Sequence, residues 1–95
     1  MAVGACTNVA MAIMSDPTFA EKTAGIYYMG GAIDVPGNDT PCAERNWYYD
    51  PESVDICLRA NFPKQVIVPH DISYNQKLTK DLVEHIVETG DTVYN

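Results

Sequence analysis

The fold turns on a four-residue run closed by two glycines, IYYMGG (residues 26–31). Ile, Tyr, Tyr and Met favour extended backbone, and the run is too short for a helix. It reads as a buried strand over Ile26–Met29, stopped where Gly30 and Gly31 allow a tight turn. A second run, QVIVP (residues 65–69), reads as another buried strand over Gln65–Pro69, terminated by its proline. Between them Asp50-Pro51-Glu52 marks a helix start. Asp50 is the N-cap, Pro51 takes the first helical position, and Glu52 faces the positive end of the helix dipole. Val54, Ile56, Cys57 and Leu58 give that helix its apolar residues, and it is expected to end near Asn61.

The flanks extend the pattern. Downstream, Thr79 caps a helix with Leu82, Val83, Ile86 and Val87 in one stripe, Asp81, Glu84 and Glu88 toward the other face, and Gly90 at its end. Upstream, TNVAMAIMS (residues 7–15) is apolar on nearly all sides. It predicts a deeply buried helix with Thr7 as N-cap. Asp16-Pro17 breaks it, and PTFAEKTAG (residues 17–25) predicts a short second helical turn ending at Gly25. Strand, helix, strand, helix at this spacing implies right-handed crossovers and an α/β fold: a partial, open, mainly parallel sheet with flanking helices. Ligands of open parallel sheets sit beyond the carboxyl ends of the strands. The loops that follow Met29 and Pro69 are therefore the candidate site loops.

Bulk properties narrow the partners. The 95 residues suffice for one small domain, and 46% hydrophobic with 20% charged residues is globular composition. A net charge of −7 is repelled by phosphate backbones and anionic membranes. Nucleic acid and membrane are accordingly not expected partners; a small neutral ligand or a cation fits better. No apolar run approaches the ~18 residues that a membrane span needs. The N-terminal stretch lacks a basic region, so a cytoplasmic protein is expected. Cys6, Cys42 and Cys57 show no Cys-x-x-Cys or zinc spacing and are expected to be reduced thiols.

The first site loop lies in MGGAIDVPGNDTPCAERNWYYDP (residues 29–51). It has neither the Gly-x-Gly-x-x-Gly spacing of a dinucleotide site nor a Gly-Lys-Ser/Thr phosphate loop. It does bring together Asn38, Glu44 and Asn46. Two amides, which donate and accept, and one carboxylate, which accepts, suit a polyol such as a sugar. The plainer alternative is that Asn38 supports a turn after Gly37 while Glu44 pairs with Arg45 on the surface.

Several blocks in order, VGACTNVAMAI, MGG, GNDTPCAERN, YDPES and QVIVPHDIS, resemble the inosine-uridine-preferring nucleoside hydrolase family over nearly the whole chain. The resemblance implies a calcium-dependent enzyme that hydrolyses the N-glycosidic bond of purine and pyrimidine ribonucleosides. It implies that Asn38 and Glu44 hold the ribose around its 5′-hydroxyl and that Asn46 reaches another ribose hydroxyl nearer the metal. It further implies that Met29 packs against the sugar and that the Thr7 backbone carbonyl helps bind calcium.

There are departures from the family pattern. Arg45 stands where the family has an aromatic or small apolar residue, Cys6 replaces a leucine, and Ala5 replaces a proline. His70-Asp71-Ile72-Ser73 takes the place of Leu-Asp-Val-Thr. An Arg45–Glu44 pair would weaken Glu44 as a ligand. His70 invites a general-acid role, although a histidine at a strand end is more often structural. The aspartate cluster and the His-Asp element on which the family's chemistry depends are not in these residues. The chain is thus expected to be a partial nucleoside hydrolase domain over residues 1–95 that contributes ribose-binding residues and is inactive alone. The alternative is a non-catalytic remnant that binds a ribosyl ligand or serves as an interaction module. The expected partners are a ribonucleoside and either a second copy of the chain or a complementary segment.

Overall fold

The computed structural model describes residues 1–90. The order is α1 (Thr7–Ser15), α2 (Phe19–Lys22), β1 (Ile26–Met29), α3 (Arg45–Tyr48), α4 (Pro51–Arg59), β2 (Gln65–Val68), α5 (His70–Ser73) and α6 (Lys80–Thr89). The two strands pair in parallel, with Ile26 opposite Gln65 and Met29 opposite Val68. On the other side of β1, Ala2 forms a parallel bridge with Tyr28. Its N–H donates to the Tyr27 carbonyl at 2.8 Å and its carbonyl accepts from Met29 N at 2.8 Å. The described sheet is therefore small, parallel and flanked by helices, as the order of elements requires.

The core lies where α1 and α4 cross beside β1. Cys6, Ala10, Ile26, Tyr28, Val54, Cys57 and Phe62 are among its buried residues. Phe62 meets Phe19 edge to face, with ring centroids 6.3 Å apart. The Tyr28 hydroxyl is buried too, and donates to Gln65 Oε1 at 3.0 Å, which satisfies the one polar atom this side chain brings into the core. All three cysteines are free thiols, with Cys6 and Cys57 buried and Cys42 exposed. Burial pushes the Cys57 thiol up to about 12, and the neighbouring Cys6 adds to the effect. Such thiols act as small apolar core groups rather than nucleophiles.

Both strands fall where the sequence places them, but β2 stops one residue sooner, at Val68. Pro69 has no N–H to give the ladder and instead precedes α5 as its N-cap residue. The cap on α4 is as expected: Asp50 Oδ1 accepts from Ser53 N at 3.1 Å, with Pro51 at the first position. That helix ends at Arg59 rather than near Asn61, because Ala60 is already extended.

Two further expectations need correction. Thr7 is not the N-cap of α1: Cys6 holds that position with no side-chain cap bond, and Thr7 is the first helical residue. Its hydroxyl donates instead to the Asp50 carboxylate, which ties the start of α1 to the start of α4. Nor is α1 covered on all sides. Only Ala10 is buried, and Met11 and Met14 are exposed, because α1 packs against α4 and α2 on one side. Finally, α6 has its Thr79 cap, with Oγ1 accepting from Leu82 N at 3.3 Å. Yet none of its residues is buried, and its apolar stripe faces outward. An amphipathic pattern records which face a helix can bury, not which neighbour it meets.

Candidate functional site

The site is built around the turn that leaves β1. Gly31 has φ +80°, the left-handed region that glycine reaches without strain. Gly30 is required for a different reason: a Cβ there would lie 2.0 Å from Trp47 Nε1. The indole of Trp47 lies against the glycine pair, and its ring meets Tyr28 edge to face at 6.3 Å. The turn can sit beneath α3 only because it carries no side chains at those two positions.

Glu44 is the centre of the hydrogen bonding. It is 3% exposed and is the N-cap of α3. Oε1 accepts from Asn46 N at 2.9 Å. Oε2 accepts from Gly31 N at 3.1 Å and from Trp47 N at 3.3 Å. One buried carboxylate thus joins the β1 turn to the first turn of α3, where the helix dipole favours its charge. The surface pair with Arg45 does not form. Arg45 Nε lies 3.4 Å from Asp39 Oδ1 instead.

Two of the other candidates are joined to this frame. Asn46 Nδ2 donates to the Met29 carbonyl at 3.0 Å and contacts Met29 Sδ at 3.1 Å. Asn38 Oδ1 accepts from Arg45 N at 2.8 Å, and its own N–H donates to the Ala43 carbonyl at 3.1 Å. The turn-supporting role of Asn38 is therefore real, and it folds residues 37–43 back toward Glu44. The structure brings Met29, Glu44 and Asn46 together at the carboxyl end of β1, with Asn38 attached through the backbone of Arg45. Thr7 is not joined to them; its side chain belongs to the α1–α4 junction.

A cavity of about 340 Å³ opens beside the turn, bounded by Gly31, Ile33, Trp47, Tyr48 and Ile67. Of the four candidate sugar-binding residues only Glu44 lines it, and the rest of the wall is almost entirely apolar.

The second site loop begins as α5, a short helix that the sequence pattern did not announce. His70 N donates to the Gly31 carbonyl at 2.8 Å. Asp71 accepts from Ile33 N at 2.9 Å through Oδ1 and from Asp34 N at 2.7 Å through Oδ2. Those two amides hold the Asp71 carboxyl below the usual carboxylate range. The His70 ring lies 2.9 Å from Ser73 Oγ through Nδ1 and meets Tyr74 edge to face. These contacts give His70 a structural place in α5. Trp47 and Asp71 are the two residues of this neighbourhood that carried no assignment in the sequence; Asp71 at least lies in the block that matches Leu-Asp-Val-Thr.

The described residues do not by themselves make up a calcium site. Among the described residues no three of His, Cys, Asp and Glu form a metal-holding group. Asp50, the carboxylate beside Thr7, is engaged by the Ser53 N–H, the Ser53 hydroxyl and the Thr7 hydroxyl. Thr7, in the first turn of α1, directs its carbonyl along the helix axis.

Comparison with known proteins gives the family. The sequence profile of inosine-uridine preferring nucleoside hydrolase matches residues 1–94. The chain is 45% identical over 67 residues to probable uridine nucleosidase 1 of Oryza sativa subsp. japonica, covering 70% of this chain and 21% of that protein. It is 37% identical over 93 residues to a pyrimidine-specific ribonucleoside hydrolase of Citrobacter koseri, covering 98% of this chain and 29% of that protein. Its fold superposes on an inosine-uridine preferring nucleoside hydrolase of Bacillus anthracis with a TM-score of 0.78 and 27% identity, over 90% of this chain and 30% of that one. The chain belongs to the inosine-uridine preferring nucleoside hydrolase family, a family of glycosidases. It spans between 21% and 30% of the length of these relatives.

Proposed function

We propose that this chain holds the ribosyl part of a site at which the whole protein hydrolyses the N-glycosidic bond of a ribonucleoside. Uridine is the first substrate to test, since the rice and Citrobacter relatives are named for uridine and pyrimidine ribonucleosides. One observation carries the reading. The two site amides each commit one end to the backbone and keep the other. Asn46 uses Nδ2 on Met29 and retains Oδ1, while Asn38 uses Oδ1 on Arg45 N and retains Nδ2. The retained acceptor and donor match a ribose hydroxyl, which both donates and accepts. Glu44 holds the frame on which both amides stand, and Met29 supplies an apolar surface for the sugar ring.

Holding the sugar orients it for attack but does not generate a nucleophile. The calcium that the family resemblance implies would draw its carboxylate ligands from residues other than those described. Hydrolysis is therefore assigned to the whole protein, in a cytoplasmic setting, and not to these residues alone. Calorimetric titration of the 95-residue chain with uridine tests the reading. Binding by the wild-type chain, weakened about tenfold or more in Asn46→Ala, is expected. No binding by the wild type, or equal binding by the variant, would overturn it.

A second reading, a non-catalytic ribosyl-binding or interaction module, draws on the outward-facing apolar stripe of α6 and the lack of an acidic cluster among the described residues. Uridine binding by the whole protein without hydrolysis, with calcium present, would favour it.

A further inference from the structure

We infer that Asp71 is a positioning residue for the candidate site, holding the turn after β1 in register with the start of α5. The His-Asp-Ile-Ser block left Asp71 without a role, yet its carboxylate makes two well-formed bonds across the site. Each oxygen takes one of two consecutive amides, Ile33 N at 2.9 Å and Asp34 N at 2.7 Å. With the His70 N–H on the Gly31 carbonyl at 2.8 Å, the first two residues of α5 bind residues 31, 33 and 34 of the opposite loop.

Hydrogen bonds have to fix this turn because burial does not. Ile33 is 72% exposed, so the hydrophobic effect contributes little to holding it in place. On its other flank the turn is tied by the Gly31 N–H, which donates to Glu44. The path from Asp71 to the sugar-binding groups is therefore short: Ile33 and Asp34, then Gly31, then Glu44, which caps the helix bearing Asn46. Asp71 makes its side-chain hydrogen bonds to backbone amides, not to Asn38, Asn46 or Met29, and acts through the backbone. A neutral Asn could accept from only one of the two amides and would turn an NH₂ donor toward the other. The depressed carboxyl of Asp71 agrees with this geometry, since the same two amides are the chief cause.

The site that Asp71 positions is the ribosyl site proposed above, and the inference rests on that reading for its ligand. Hydrogen exchange of the full 95-residue chain is the test, read at the Gly31, Ile33 and Asp34 amides in wild type and Asp71→Asn. Asp55→Asn, which alters an exposed carboxylate on α4, is the control. Exchange about tenfold faster or more is expected at all three amides in Asp71→Asn, with α4 unchanged and no effect in the control. Unchanged exchange at Gly31 would overturn the positioning role, because the effect would then stop at the two amides that Asp71 touches. If Asp71→Asn does not fold, the wild type still decides. Its Ile33 and Asp34 amide protons are expected to shift together as the Asp71 carboxyl titrates, and amides that ignore that titration would overturn the assignment. Uridine separates the two proposals. Binding weakened about tenfold in Asp71→Asn supports both, and equal binding overturns the positioning role. Absent binding by the wild type fails the ribosyl reading and leaves Gly31 exchange to decide the role of Asp71.

Discussion

Replacing Glu44 with Gln tests the frame of the site with almost no change in shape. The wild-type carboxylate accepts from three backbone amides, at 2.9, 3.1 and 3.3 Å, and is 3% exposed, so water cannot replace it. A Gln that keeps its oxygen at the Gly31–Trp47 side turns an NH₂ donor toward the Asn46 N–H. One charge-assisted bond is then lost, at about 1.5–3 kcal/mol, and two become neutral bonds roughly half as strong. The expected destabilisation is about 3–6 kcal/mol. Against the roughly 5–14 kcal/mol typical of a chain this long, that is a large fraction. Urea unfolding followed by the fluorescence of Trp47, the single tryptophan, reads the change where it occurs. With m near 1 kcal/mol/M, the midpoint is expected to fall by about 3 M or more. A loss below about 0.5 kcal/mol, the level of an ordinary surface substitution, would refute the three-amide reading.

Other expectations follow from the same contacts. Gly30→Ala puts a Cβ 2.0 Å from Trp47 Nε1, against a ring rather than the loose end of a side chain. It is expected to cost about 1–3 kcal/mol and to shift Trp47 emission; an unaltered melting temperature would refute it. Asp50 is held below the ordinary carboxylate range, first by the Ser53 hydroxyl, then by the Thr7 hydroxyl and the Ser53 N–H. A folded-state pKa below the unfolded one contributes stability that is present above about pH 4 and is lost as pH falls toward the folded value. Asp71 shifts in the same direction. Acid titration of stability is thus expected to fall off below about pH 4 in the wild type and more shallowly in Asp50→Asn, with a parallel profile counting against the cap.

The strands and the α4 cap were legible in the sequence because their causes are local. β-prone residues bounded by Gly-Gly or Pro permit little else at Ile26–Met29 and Gln65–Val68, and Asp-Pro-Glu fixes a helix start within three residues. Thr7 misled for the complementary reason. Its fitness as a cap is a local property, but the carboxylate that claims its hydroxyl is 43 residues away, at Asp50. The same holds for α1 and α6, whose apolar faces are plain in sequence while their coverage depends on which elements lie nearby. At the candidate site, the sequence pointed to this loop and to its polyol-like donor set. It could not show that half of each amide is used by the backbone, nor that Asp71 reaches across to Ile33 and Asp34.

That division of labour also accounts for Arg45. The position resembles a departure from the family pattern only if its side chain matters. Here the Arg45 N–H is the group that Asn38 holds, at 2.8 Å, and any residue but proline supplies it. The guanidinium lies outside the frame, half-exposed and 3.4 Å from Asp39, in the kind of surface pair worth about 0–1 kcal/mol. The polar side chains of the two loops therefore resolve into three roles. Glu44 and Asp71 fix the backbone, while Asn38 and Asn46 fix it with one end and present the other. Arg45 contributes its amide and leaves its side chain free to vary.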